Sequence, residues 1–202
     1  MSNITSAFTD AVHDSQACFR RLLTAMSEPG VVVTLDRCHG FGSMMPASSQ
    51  VLLAMADNST PLWLSTSLSQ DASATENIHF HSGAVTNAEP NKANFAVIAK
   101  QDLATLHLDS LSFNEGDEEY PDRSTTVIIE TDSVTAGTSF VLSGPGIQTQ
   151  TTVQLGDLPA SLVDRLCEQG KQFPLGLDFI FVSGQQVVAI PRSTSVEVSS
   201  CM

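Results

Sequence analysis

Basic residues are scarce in this chain of 202 amino acids, which has 9 lysines and arginines against 22 aspartates and glutamates. The resulting net charge of −13 repels nucleic acid, acidic membrane surfaces and polyphosphates at long range. An anionic ligand would need a local basic pocket, and three lysines and six arginines can build few of them. The charge balance therefore argues against nucleic-acid binding, against membrane binding, and against binding of a triphosphate by this chain alone. Acidity of this kind also serves solubility, which we take as its main cause.

Long apolar runs and paired cysteines are missing as well. No apolar stretch approaches the roughly 18 residues that a membrane-spanning helix needs. The first residues include Asp10 and Asp14 and lack the apolar core of a secretory signal, so we expect none. The four cysteines are scattered, and none is in C-x-x-C spacing, which indicates neither a zinc site nor a disulfide framework. We therefore expect a cytoplasmic protein with reduced thiols.

The sequence motifs of several enzyme classes are absent, including H-E-x-x-H, G-x-S-x-G and the lysine of a P-loop. Gly144-Pro-Gly146 follows an apolar segment, but its proline has no N–H to offer a phosphate, so we interpret it as a tight turn. His79 and His81 are predicted to lie on one side of an extended segment, because side chains alternate along a strand. No third ligand lies nearby in the sequence, so we interpret them as surface or packing residues rather than as a metal site.

Apolar residues at spacings of three and four predict a first helix over residues 6–26. Its predicted core face comprises Phe8, Val12, Ser15, Phe19, Leu22 and Met26. Pro29-Gly30 is predicted to end the helix, because proline lacks the amide hydrogen that a helix needs and glycine tolerates the turn.

The remaining patterns predict helices in the first half of the chain and hairpins in the second. Further helices are predicted over 48–56, 71–79, 101–111 and 158–168. Strands are predicted over 31–35, 61–65, 95–99, 125–130, 138–143, 151–155, 177–182, 186–190 and 194–199. This mixture predicts an α/β fold with a mixed sheet and helices on its faces, in one domain over residues 1–202.

Asp178 lies in a strongly apolar run, where an unpaired carboxylate would be costly to bury. If residues 184–186 form a three-residue hairpin loop, Asp178 stands across from Arg192 on the returning strand. The alternative is that Asp178 faces solvent where its strand begins. A paired Asp178 and Arg192 would fix the hairpin, line a cleft, or do both.

Arg20 and Arg21 form the only adjacent basic pair of the chain. We interpret them first as residues on the solvent-exposed side of the helix, and second as a binding site, since arginine is common at interfaces and binds phosphate with two parallel hydrogen bonds.

The acidic loop 114–122 contains four carboxylates around Tyr120-Pro121. A hard cation is one interpretation of this loop, and a solvated loop is the one we favour.

Several blocks of the sequence, taken in order, resemble a known family. The first is Phe19-Arg-Arg-Leu-Leu-Thr-Ala-Met-Ser-Glu-Pro-Gly30, and a later one is Leu142-Ser-Gly-Pro-Gly-Ile147. The others cover residues 52–57, 60–65, 80–84, 95–98, 173–181 and 189–197. In this order and spacing the blocks resemble the H subunit of the bacterial carbon–phosphorus lyase system for phosphonate use. The resemblance extends over about residues 8–198.

The resemblance implies a three-layer α/β fold similar to that of pyridoxal-phosphate-dependent transferases, without the cofactor site. Lys100 ends a predicted strand, but nothing around it resembles a cofactor pocket, so we expect neither a Schiff base nor any cofactor. Family members form homodimers in isolation and join a core complex with the G, I and J subunits. With further components, that assembly displaces adenine from ATP by a phosphonate, giving a ribose 1-phosphonate 5-triphosphate. A radical S-adenosylmethionine subunit later breaks the carbon–phosphorus bond.

No catalytic residue is carried onto this sequence by the resemblance, so we expect an accessory or structural subunit with no active site of its own. The candidates for a cleft or an interface are Arg20, Arg21, Asp178 and Arg192. The alternative hypothesis is a stand-alone α/β enzyme or binder that acts on a small phosphorylated or phosphonylated compound. The Asp178–Arg192 pair and the glycines at 144 and 146 motivate that alternative.

Overall fold

A six-stranded mixed sheet forms the centre of the structure, a computed structural model that describes residues 4–106 and 110–199. The strands of the described residues are β1 Val33–Thr34, β2 Leu62–Leu64, β3 Phe95–Ile98, β4 Thr126–Glu130, β5 Thr138–Ser143, β6 Thr151–Leu155, β7 Asp178–Ser183, β8 Gln186–Ile190 and β9 Ser195–Val198. The central sheet has the order β1-β8-β7-β4-β3-β2. Strands β2, β3, β4 and β7 are parallel, whereas β8 and β1 are antiparallel to their neighbours. The predicted mixed sheet is therefore confirmed.

The β7–β8 hairpin has a two-residue turn rather than the three-residue loop considered above. Ser183 pairs with Gln186, which leaves Gly184 and Gln185 as the turn residues. Gly184 has a φ of 60°, in the left-handed region that two-residue hairpin turns require and that glycine adopts without strain.

Buried side chains alternate between the two faces of the central sheet, as period-two strands require. In β7, Ile180 and Val182 face one apolar cluster, whereas Phe179 and Phe181 face the other. The parallel strands β3, β4 and β7 are buried along nearly their whole length, because both faces of the central sheet are covered.

Helices cover the first of these faces. They are α1 Ala11–Ser27, α2 Pro46–Met55, α3 Thr66–Ser69 and α4 Ala72–Ser82. Helix α2 begins with Pro46, two residues before the predicted start, because proline is favoured in the first turn, where its missing N–H costs nothing. Its residues from Ala47 to Leu52 are all buried, since α2 lies between the sheet and the other helices.

A second, three-stranded antiparallel sheet covers the opposite face, in the order β6-β5-β9. Helix α5, Ala160–Cys167, lies beside it and contributes Leu162 and Leu166 to the shared apolar cluster. The prediction of helices on both faces is thus only partly right. Among the described residues, one face carries helices α1 to α4, and the other carries the small sheet with α5.

Helix α1 begins five residues later than predicted, at Ala11. Asp10 caps it by accepting hydrogen bonds from the backbone N–H groups of Val12 and His13. The preceding segment is not helical, and its backbone bonds elsewhere: the N–H of Thr5 donates to Asn77 of α4 over 2.6 Å. The carbonyl of the same residue accepts from His81.

The predicted core face of α1 is also partly wrong. Cys18, Leu22 and Ala25 are the buried residues of this helix, whereas Val12 and Phe19 are exposed. The true buried stripe is rotated by about one residue from the predicted one, because small side chains face the sheet where α1 packs closely on α2 and β8.

Two glycine-containing turns meet at the end of α1. Pro29-Gly30 ends the helix as predicted, and the 144–146 turn is confirmed by a hydrogen bond from Ile147 to the carbonyl of Gly144. Gly146 has a φ of 82°, and a Cβ there would overlap the carbonyl oxygen of Ser27. Only glycine therefore allows this turn to approach the helix end so closely.

Two further predictions need correction. The stretch 101–111 is predicted to be helical, but its described residues show only 3₁₀ structure, at Lys100–Asp102 and again at Ser110, and residues 107–109 lie outside the described part. The strand predicted over 31–35 is confined to Val33–Thr34.

Within residues 4–106 and 110–199, no helix is both long and apolar enough to cross a membrane.

Candidate functional site

Asp178 and Arg192 form a largely buried ion pair at the start of β7. One oxygen of the Asp178 carboxylate accepts the backbone N–H of Arg192 over 2.8 Å, and the other accepts its guanidinium over 2.9 Å. The guanidinium also donates to the carbonyl oxygen of Pro121. The pair therefore closes the base of the β7–β8 hairpin and fastens the acidic loop to it, so the solvent-facing alternative for Asp178 is wrong.

Arg20 and Arg21 have different surroundings although they are adjacent. The Arg21 guanidinium donates to the carbonyl of Thr34 and to the carboxylate of Asp36, at 2.7 Å from the latter. Its hydrogen bond to Asp36 lowers the pKa of that carboxyl group. Arg20 is exposed, and within the described residues its side chain forms no ion pair. Arg21 thus links α1 to the strand that follows it, whereas Arg20 points to solvent.

The structure does not bring the four candidate residues into one site. No contact joins Arg20 or Arg21 to Asp178 or Arg192 among the residues described. The candidates form two separate groups, one on α1 and one at the beginning of β7.

A cleft of about 360 Å³ opens where β3 and β4 end, the edge at which parallel α/β sheets commonly bind ligands. Lys100, Thr131, Asp132 and Asp157 are its polar residues. The Lys100 ammonium is bound to the carboxylate of Asp132, so the cleft has little positive charge left for an anion. This arrangement is poorly suited to a polyphosphate.

A wider depression of about 480 Å³ lies between the end of α5 and β9. Lys171 and Glu197 are the charged residues in its lining, and Lys171 is bound to Glu168 over 2.8 Å. No nucleophile with an adjacent base emerges from these contacts.

The histidine prediction was wrong about the local structure. His79 and His81 lie in the last turn of α4, not on a strand, so their side chains do not share a side. His81 stacks on Phe41 and bonds Thr5, while His79 lies near the carbonyl of Ala84. Within residues 4–106 and 110–199, no three His, Cys, Asp or Glu side chains are grouped so that they could hold a metal ion.

The acidic loop is organised by its own hydrogen bonds. One oxygen of Asp117 accepts the backbone N–H groups of Glu119 and Tyr120. The Arg123 guanidinium lies 3.8 Å above the Tyr120 ring, a cation–π contact. These contacts account for the loop without a bound cation.

Glu130 is a buried polar residue that the sequence patterns did not single out. It ends β4 and accepts the backbone N–H of Met45 over 2.6 Å, directly before α2, with Ser48 of α2 beside it. Burial raises the pKa of Glu130, although its contacts with Met45 and Ser48 partly offset the rise. A carboxyl group at the end of a buried strand is the signal that would have found it, because such a group needs a partner.

Gln50 is a second buried polar residue that the sequence patterns did not single out, because a glutamine within a helix has no distinctive pattern. Its amide nitrogen donates to the carbonyl oxygens of Leu35 and Cys38, and its amide oxygen accepts the backbone N–H of Arg37.

Burial raises the pKa of the Cys18 thiol to about 11 and that of the Cys38 thiol to about 12. At neutral pH these two thiols therefore stay protonated and unreactive.

A family model described as "Bacterial phosphonate metabolism protein (PhnH)" matches residues 6–197. The chain belongs to the PhnH family. The resemblance inferred from the ordered sequence blocks is thereby confirmed. The match includes α1, all nine described strands through Glu197 and both groups of candidate residues.

Two curated relatives are similar to this PhnH-family chain over nearly its full length. The first, from Rhizobium meliloti (strain 1021), is named "Alpha-D-ribose 1-methylphosphonate 5-triphosphate synthase subunit PhnH". It is 32% identical over 194 residues, which are 96% of this chain and 95% of the relative. The second, from Stutzerimonas stutzeri, is named "Putative C-P lyase subunit protein HtxG" and is 30% identical over 185 residues, 91% of this chain and 86% of the relative.

Proposed function

We propose that this PhnH-family chain is an accessory subunit of a bacterial carbon–phosphorus lyase system used in the breakdown of organic phosphonates. In this role it is required when adenine of ATP is displaced by a phosphonate to form a ribose 1-phosphonate 5-triphosphate. The observation that carries the proposal is the similarity, over nearly the whole of both chains, to a relative named as a subunit of the corresponding synthase.

The chemistry of the described residues supports an accessory role. The Lys100 ammonium is bound to Asp132, and the Cys18 and Cys38 thiols have raised pKa values. A reaction on a triphosphate needs several positive groups or a metal ion around the phosphates. The net charge of −13 works against such a site on this chain alone.

The finer features of the proposal rest on the family resemblance. We propose that the chain acts in the cytoplasm as one domain without a cofactor, that it binds the G, I and J subunits, and that it forms a homodimer when isolated. We also propose a likeness of its fold to pyridoxal-phosphate-dependent transferases. Arg20, Arg21, Asp178 and Arg192 remain candidates for a cleft or an interface.

Co-expression with the G, I and J subunits tests the proposal. We expect the four proteins to co-elute in size-exclusion chromatography. We also expect the completed system to form the ribose phosphonate product from ATP and methylphosphonate only when this chain is present. Separate elution, or full activity without the chain, would contradict the proposal.

The cleft at the ends of β3 and β4 is the place where the alternative function, a stand-alone binder of a small phosphorylated or phosphonylated compound, would act. Calorimetric titration of the isolated chain with ATP, methylphosphonate and pyridoxal phosphate distinguishes the two. We expect no heat of binding, because the Lys100 ammonium is already paired with the carboxylate of Asp132 and Asp157 adds a second negative charge to the cleft. Binding that a Lys100→Ala substitution abolishes would favour the second function.

A further inference from the structure

Helix α1 has a second apolar stripe that no described residue covers. Cys18, Leu22 and Ala25 fill its core face, yet Val12 is 75% exposed and Leu23 is 51% exposed. Phe19 lies between these two along the same side of the helix and is also exposed. A helix that only packs on its own domain presents polar residues there. The stripe formed by Val12, Phe19 and Leu23 therefore needs another explanation.

The stripe borders an apolar groove between α1, α2 and the central sheet. Phe19, Leu22, Leu23 and Met26 form the α1 wall of the groove, and Met55 at the end of α2 forms the opposite wall. Its floor is made by Phe95, Thr126 and Ile180, from the neighbouring strands β3, β4 and β7. The groove has a volume of about 80 Å³, and Thr126 is its single polar lining residue among those described. That volume fits one large apolar side chain better than a chain of ordered waters, which need polar partners.

Charge near the stripe favours a particular kind of occupant. Arg20 follows Phe19 on α1, is exposed, and forms no ion pair within residues 4–106 and 110–199. Its neighbour Arg21 is already bound to Asp36, and Arg37 lies near Asp14. In a chain with 22 acidic and 9 basic residues, most of the surface repels a carboxylate, but the position beside Arg20 attracts one.

We propose that this face of α1 and the groove beside it bind a companion subunit of the phosphonate system. The partner inserts a large apolar side chain into the groove and places a carboxylate next to Arg20. This inference rests on the proposed function and adds the surface through which the chain joins its assembly. Apolar contacts at the centre with a charged contact at the rim are the usual arrangement of a specific interface.

A second copy of this chain fits the surface less well. The two carboxylates at the beginning of the same helix, Asp10 and Asp14, are already engaged: Asp10 caps α1, and Asp14 accepts the N–H of Asp10 and lies near Arg37. They are therefore poorly placed to serve Arg20 of another copy.

Affinity measurements on the purified full-length chain, titrated against the subcomplex of its companion subunits, test the inference. Leu23→Glu should weaken binding at least about tenfold, because it places a charge in the apolar groove. Val85→Glu is the matched control, since Val85 is 50% exposed and lies outside the groove. Arg20→Glu should also weaken binding, and by more at low than at high ionic strength. Circular dichroism and sedimentation of each isolated variant establish folding and self-association.

Each outcome has a defined meaning. Loss of binding in Leu23→Glu and Arg20→Glu, with Val85→Glu unchanged and all three folded, supports the inference. If the wild-type chain does not bind the companion subunits, the proposed function and the inference both fail. If the wild type binds and Leu23→Glu binds equally well, the inference about the binding surface on α1 is overturned, whereas the proposed function stands. If Leu23→Glu alters self-association but not companion binding, the groove serves a second copy and the inference is overturned.

Discussion

The carboxylate of Asp178 uses both of its oxygens on a single partner, Arg192. One oxygen receives the backbone N–H and the other the guanidinium, and the side chains are only 12% and 18% exposed. A pair so shielded from water differs from the exposed ion pairs of this chain, whose effect on stability is small. Removing one member leaves the other charge largely desolvated, which costs more than the pair itself contributes.

Asp178→Ala should lower the free energy of unfolding by about 2–3 kcal/mol, somewhat less than for a fully buried pair because some water reaches it. Asp178→Asn should cost somewhat less than Asp178→Ala, since the amide oxygen still accepts the N–H of Arg192 although the guanidinium loses its counter-charge. Urea unfolding followed by circular dichroism measures both. Lys171→Ala is the control, because its ion pair with Glu168 is exposed and its loss should cost less than about 0.5 kcal/mol. Equal losses at Asp178 and Lys171 would contradict this account.

Glu130 is a second buried carboxyl group, and it accepts a hydrogen bond from the backbone N–H of Met45 rather than pairing with a cation. Glu130→Ala should lower the free energy of unfolding by about 2–3 kcal/mol, because the N–H of Met45 is left buried without an acceptor. Glu130→Gln keeps an acceptor and should stay within about 1 kcal/mol of the wild type. Chemical denaturation at pH 7 distinguishes the two variants, and equal losses would show that the acceptor is unimportant.

The same residue makes stability depend on pH in a definite direction. Burial raises the pKa of Glu130 in the folded state above its ordinary value, so the folded state holds the proton more tightly than the unfolded state. Its contribution is fully present below the ordinary pKa and is lost as the pH rises through the raised pKa. Relative to Glu130→Gln, the wild type should therefore become less stable as the pH rises above about 4.5. Parallel unfolding curves across a pH series measure this difference, and a constant gap between the two proteins would refute it.

At the scale of elements, Asp71 joins helix α4 to the loop that precedes α2. One of its oxygens caps α4 by accepting the N–H groups of Ser73 and Ala74, and the other accepts the N–H of Ser43 over 2.7 Å. The loop can come this close because Gly42, with a φ of 57°, has no Cβ to collide with the carboxylate. One side chain thus orders two elements that are distant in sequence.

Asp71→Ala should lower the free energy of unfolding by about 1–2 kcal/mol through loss of the cap, whereas Asp71→Asn, a good capping residue, should cost a few tenths. Burial alone would raise the pKa of Asp71, but hydrogen bonds from Ser43, Ala74 and Ser73 outweigh it and hold the pKa below its ordinary value. The carboxylate's contribution is therefore present above the ordinary pKa and lost as the pH falls through the lowered one. The advantage of the wild type over Asp71→Asn should shrink in acid, as thermal unfolding at several pH values would show. An advantage that grows in acid would be inconsistent with this assignment.

At the scale of the whole molecule, charge opposes folding. Acidic residues outnumber basic ones by 22 to 9, so most carboxylates have no basic partner of their own and repel one another more in the folded than in the expanded chain. Added salt screens this repulsion. Raising sodium chloride from low to moderate concentration should raise Tm by about 2–4 °C, the shift that about 1 kcal/mol produces in a chain of this size. Differential scanning calorimetry with sodium and potassium chloride tests it, and a fall in Tm with both salts would mean that ion pairs dominate instead.

Patterns within a short window predicted much of the fold correctly. The apolar runs at β3, β4 and β7 are buried strands, and Pro29-Gly30 and the turn at Gly144–Gly146 lie where expected. Strong local preference is the reason, because β-branched runs, proline and glycine restrict the backbone wherever the chain goes. The ordered blocks also identified the family, since they depend on sequence alone.

Tertiary contacts decided what local patterns left open. The core face of α1 was partly misjudged because Phe19 and Val12 match the helical period of Leu22 as well as Cys18 and Ala25 do, and only packing on α2 and β8 selects between them. Asp178 and Arg192 meet although the register, which sets Phe179 opposite Ile190, places Arg192 one residue past the position across from Asp178. The hydrogen bond from the N–H of Met45 to Glu130 joins residues 85 positions apart. Composition and short-range pattern thus determined the element types, the acidic field and the family, because these follow from neighbouring residues. The second sheet, the buried carboxylates and the uncovered groove on α1 exist only once distant segments meet, because each depends on which surfaces the folded chain covers.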